Sequence, residues 1–110
     1  MKRLFLFLSI LALPAESLAQ VDEREATEQA YLDCLQRAAS QRDDQKSDVA
    51  TIAKAIIPVC ADEYTAQKTA FGRFTSDPAA QRTLFDTMDA AQVQTATSVV
   101  LKERLGHTSR

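Results

Sequence analysis

The sequence contains no tryptophan, one histidine, two glycines and three prolines in 110 residues. Each shortage removes a class of protein. A lone His107 cannot supply the convergent imidazoles of a zinc hydrolase. With no Gly-x-Ser-x-Gly and no second histidine, the serines and threonines have no base to activate them. No stretch alternates apolar and polar residues, and no Asn-Gly or Asp-Gly turn occurs, so strands are not expected. The chain is therefore expected to be all-α.

Charge is equally undistinguished, with thirteen basic and fifteen acidic residues and a net charge of −2. Nothing in that balance suits a run of phosphates, and the aromatic residues do not alternate with cations as a stacking groove requires. Nucleic acid is excluded as a partner. Cysteine is limited to Cys34 and Cys60, too few for a closed zinc site and not spaced as a Cys-x-x-Cys redox pair. No cofactor is indicated.

What the chain does have begins at its start. Lys2-Arg3, the apolar run Leu4–Leu13, Pro14 and the small-x-small triplet Ser17-Leu18-Ala19 have the form of a secretory signal cut after Ala19. The apolar run is shorter than the roughly 20 residues of a membrane span, so no stable span is expected once it is removed. The remaining residues, 20–110, hold eleven basic and fourteen acidic side chains, a net charge of −3, and are expected to form one small domain. Export into an oxidising compartment, periplasmic or extracellular, makes one Cys34–Cys60 disulfide the simplest use of the two thiols.

Three helices are expected, over residues 23–42, 48–72 and 78–104. The first has Asp22 as N-cap and an alanine-rich stripe through Ala26, Ala30, Tyr31, Cys34, Leu35, Ala38 and Ala39. The second has Ser47 as cap and the most apolar stripe, Val49, Ile52, Ala53, Ile56, Ile57, Cys60, Ala61, Tyr64 and Phe71. That stripe keeps its phase across Pro58, which favours a kink over a break. Asp77-Pro78 starts the third helix, Gly106 should stop it, and residues 106–110 should fray. The result is a disulfide-stapled antiparallel helical hairpin with a third long helix packed across it.

Few residues are candidates for chemistry. Asp43–Asp48 has neither the glycine nor the terminal glutamate of a calcium loop and reads as a solvated turn. Asp62 and Glu63 are adjacent, so on a helix they point about 100° apart and cannot face one atom. His107 suits the negative end of its helix. Tyr31 and Tyr64 should flank the disulfide and, with Ile57, could line a small apolar cleft. The nearly uncharged run Ala90–Val100 is weakly amphipathic, which makes Val93, Ala96 and Val100 a candidate face for a protein partner or a second copy.

Tyr-x-x-Cys on one helix and Ile-x-Pro-x-Cys-x-x-Glu-Tyr on the next resemble small exported helical proteins of Gram-negative bacteria. The resemblance covers residues 31–64 and implies a periplasmic or secreted location and a disulfide hairpin, with no activity to carry over. The sequence thus points to a non-enzymatic module that binds a protein or envelope component. The alternative is a carrier of a small apolar ligand between its helices.

Overall fold

The computed structural model describes residues 15–108, and the side chains of 21–108. Residues 1–14, most of the expected signal segment, and the last two residues of the tail lie outside them. The described chain is four α-helices in an up-down-up path: α1 (Ala15–Arg42), α2 (Val49–Ile56), a 3₁₀ turn (Pro58–Cys60), α3 (Ala61–Gly72) and α4 (Pro78–Thr108). No strand occurs among the described residues.

The first helix starts earlier than Asp22. Ala15–Val21 contains neither proline nor glycine, so nothing interrupts helical hydrogen bonding, and Asp22 is an interior residue rather than a cap. The expected cut after Ala19 falls inside this helix. Ala26 and Ala30 are exposed, and the buried face begins only at Tyr31.

Asp48, not Ser47, caps α2: its carboxylate accepts from the Thr51 backbone N–H at 2.8 Å. Ser47 instead donates its hydroxyl to Asp44 Oδ2 at 2.6 Å. Asp44 also accepts from the backbone N–H groups of Lys46 and Ser47, closing the link between α1 and α2.

The proline breaks the long middle helix instead of kinking it. Pro58 has no N–H to give, and its ring excludes the normal bond to Lys54, so Ile57 N–H → Ala53 O at 3.3 Å is the last α-type bond of α2. Cys60 N–H then closes a 3₁₀ turn on Ile57 O at 3.1 Å, and Ala61 resumes the α-helix. The two halves find different neighbours: α2 packs chiefly on α4, α3 chiefly on α1, and α3 touches α4 only sparingly.

The sequence places the start of α4 correctly but not its end. Asp77 accepts from Ala79 N–H ahead of Pro78 at the first helical position. Gly106 does not stop the helix, which continues to Thr108, and no glycine has a positive φ of the kind a helix-terminating cap uses. Residues 106–108 are thus helical.

One contiguous core joins these elements, comprising Tyr31, Cys34, Leu35, Ala38, Ala39, Ile52, Ala53, Ile56, Cys60, Ala96 and Val100. Leu35, Ile56, Val100 and Cys60 are its largest fully enclosed side chains. Four of its members are alanines, which let helices approach closely but contribute little buried area each. A core this lean leaves much of the stability to the covalent and polar ties around it.

Candidate functional site

The Cys34–Cys60 disulfide is formed, with the two Cα atoms 5.8 Å apart. It ties the middle of α1 to the end of the 3₁₀ turn, so the break at Pro58 is held where the chain changes direction. Glu63 Oε and the two sulfurs lie within 4.8 Å of one another, but the sulfurs are bonded to each other and have no lone thiolate for a metal.

One helical turn from the staple the two tyrosines meet, their ring centroids 5.2 Å apart and their planes inclined by 44°. That separation is in the favourable range for aromatic pairs. The Tyr64 hydroxyl donates to Asp89 Oδ1 at 2.6 Å, and Lys68 Nζ binds the same carboxylate oxygen at 3.1 Å. The Tyr64 phenol is pushed well above its ordinary value by burial first, then by the adjacent Asp89 carboxylate. Asp89 is held low by Tyr64 and Lys68.

Tyr31 is treated differently. Its ring is 3 % exposed, yet its hydroxyl completes no hydrogen bond with any described group. Burial raises its phenol, and a hydrogen-bonding interaction with the neighbouring Gln92 side chain, too poorly aligned to count as a full bond, acts in the opposite sense. A buried hydroxyl wholly without a partner costs about 1–3 kcal/mol, and the Gln92 side chain offsets part of that cost here.

Both tyrosines line a half-open cleft of about 140 Å³ where α3 and α4 part beside α1. Glu28, Tyr31 and Leu32 come from α1, Tyr64, Gln67 and Phe71 from α3, and Met88, Ala91, Gln92 and Thr95 from α4. Of the residues the sequence suggested, Tyr31 and Tyr64 are in this lining, while Ile57 packs against the core near the end of α2 and is not part of it. Phase alone put Ile57 on that stripe; the break at Pro58 turns α2 toward α4 and carries Ile57 away from the cleft. Met88, Gln92 and Gln67 could not be assigned to it from sequence, because their convergence depends on how three helices diverge in space.

The face expected at Val93, Ala96 and Val100 is divided. Ala96 and Val100 are fully buried in the chain's own core, and only Val93 is exposed, at 42 %. The hydroxyl residues of this run are self-contained: Thr95, Thr97 and Ser98 each donate a hydroxyl hydrogen bond to the carbonyl four residues earlier. Its inner face, Ala96 and Val100, is thus core, while Ala90, Ala91, Val93, Gln94 and Ser98 are exposed and uncharged.

Two polar clusters at the ends of the bundle fix the helices that frame the cleft. At one end Arg24 lies over the rings of Phe71 (4.4 Å) and Phe74 (4.7 Å), while Arg73 pairs with Glu23. At the other, Arg104 of α4 grips the Asp43 carboxylate with two hydrogen bonds of 2.8 and 2.9 Å and donates to Ser47 O. The Asp43 side chain is 1 % exposed, whereas Asp44, Gln45, Lys46 and Asp48 are exposed, so the link is the solvated turn its composition suggests except where Arg104 covers Asp43. Hydrogen bonding from Arg104 holds Asp43 below the usual carboxylate range, and bonds from Ser47 and Lys46 hold Asp44 at about 2.

Among the described residues, no helix is long and apolar enough to cross a membrane. His107 sits 3.6 Å from Glu103 on the same helix. No family model matches the chain, and neither the curated proteins nor the solved structures contain a match to it.

Proposed function

We propose that this protein is an exported, disulfide-stapled helical binding module that carries a small, largely apolar molecule in the cleft between α1, α3 and α4. The observation that supports it most is the half-open cleft of about 140 Å³ itself, walled by Tyr31, Leu32, Tyr64, Phe71 and Met88. Pre-formed concave sites with mostly apolar walls and a few polar groups are the usual form of small-molecule sites. The disulfide is compatible with an oxidising periplasmic or extracellular location, as is the signal-like start of the sequence.

The reading is of a binder and not an enzyme. The carboxylate nearest the paired rings, Asp89, is already engaged by Tyr64 and Lys68, and Glu28 at the cleft has no partner group arranged for acid–base work. A protein partner is the second reading, favoured by Val93 and Leu101, which are exposed on α4 at 42 % and 48 %. Native mass spectrometry of the protein purified from the envelope of a Gram-negative host separates the two. A retained small molecule supports the first reading, a retained protein the second, and a bare chain counts against both.

A further inference from the structure

Taking the cleft as a ligand site, which is the binding reading above, we infer that it selects a small organic cation: one ammonium group, paired with the Glu28 carboxylate, on an apolar body about the size of a single ring. Size limits the body. At about 140 Å³ the cleft is close to the roughly 150 Å³ of an apolar cavity that holds benzene, so one ring fills it. Leu32, Tyr64, Phe71 and Met88 give that ring apolar and aromatic wall to lie against.

Charge decides the class. Glu28 is the only carboxylate in the lining, which holds no lysine or arginine. It is solvent-exposed, so it stands on the open side of the cleft, where an ammonium can keep part of its water while the body behind it is buried. Among the described residues no hydrogen bond or ion pair occupies this carboxylate. Arg24, four positions earlier on α1, has the spacing for such a pair, but its guanidinium lies over Phe71 at 4.4 Å and Phe74 at 4.7 Å instead. The other nearby cation, Lys68, is taken by Asp89 at 3.1 Å. An ammonium ligand supplies the counter-charge that Glu28 lacks, whereas an anion meets like charge there.

The test keeps the ring constant and changes the charge it carries. Dissociation constants of p-cresol, tyramine and 4-hydroxyphenylacetate, the same phenol with a neutral, a cationic and an anionic substituent, are measured by NMR titration of the disulfide-bonded protein at low ionic strength. They are measured for the natural sequence and for Glu28→Gln, whose fold is checked by circular dichroism. Because the probes differ in their own transfer from water, the informative quantity is how the substitution changes their ratios. Glu28→Gln is expected to lower the affinity of tyramine relative to p-cresol by about two- to fivefold, the worth of a solvent-exposed ion pair, and to raise that of 4-hydroxyphenylacetate. High salt should have the same effect on the natural sequence. Ratios that the substitution leaves unchanged, or moves the other way, overturn the selection of a cation while leaving the cleft as a binding site. Binding of none of the probes overturns the cleft itself and the inference with it.

Discussion

At Tyr31 the fold tolerates a cost that it avoids almost everywhere else, since this is the one buried side-chain polar atom among the described residues without a partner. In the unliganded protein, Tyr31→Phe removes that atom without opening a cavity. It is expected to leave stability unchanged or raise it by up to about 1 kcal/mol, as read by chemical denaturation. A clear loss would mean that the hydroxyl is already satisfied. Asp43 and Asp44 are the opposite case, carboxylates whose partners hold them below their ordinary value of 3.8. Their contribution is fully present above that value and is lost as pH falls through the folded-state values, about 2 for Asp44. The melting temperature should therefore fall between about pH 4 and pH 2, and Asp43→Asn should both lower it at pH 7 and flatten that acid limb. The Asp44 bonds are local, to residues two and three positions on, but the state of Asp43 could not be read from the sequence, because Arg104 reaches it across 61 positions of chain.

At the scale of elements, the staple makes a large contribution to stability. Closing a loop with a sequence separation of 26 stabilises by about 3–4 kcal/mol in the chain-entropy account, and the alanine-rich core gives little to replace it. Reduction, or Cys34→Ser, should lower the unfolding free energy by about that amount in a denaturant titration. The two glycines make a sharper test of the helix boundaries. A Cβ on Gly72 would meet Phe85 Cζ at 2.8 Å and Gln81 Nε2 at 3.0 Å, whereas one on Gly106 would meet nothing within 4 Å. Gly72→Val should cost about 2 kcal/mol through overpacking. Gly106→Ala should stabilise by up to about 1 kcal/mol, because alanine is the better helix former. Destabilisation by Gly106→Ala would restore the expectation that this glycine ends the helix. The all-α class, the Asp77-Pro78 start and the disulfide were legible because each depends on local pattern or on the count of cysteines. The outcome at Pro58 was not, since an unbroken apolar phase fits a kink and a break equally well, and tertiary packing of α2 on α4 and α3 on α1 decides between them.

Across the whole molecule, the parts act on one another through the break at Pro58. With α2 directed to α4 and α3 to α1, α3 meets α4 at only a few points, and the cleft lies between α1, α3 and α4. The sequence marked its two tyrosines by their symmetry about the cysteines, but its far wall, Met88, Ala91, Gln92 and Thr95, lies on a helix whose approach no periodicity specifies. The same arrangement explains why Ala96 and Val100 are core and not surface. The chain contains only two tyrosines, and both line the cleft, so each can report on it directly. Protein labelled with ¹³C in the tyrosine rings should give two sets of resonances, and titration with p-cresol should shift both along saturable curves that share one dissociation constant. Tyrosine resonances that do not move, or that drift without saturating at the solubility limit of the probe, would contradict the account of this cleft as a binding site.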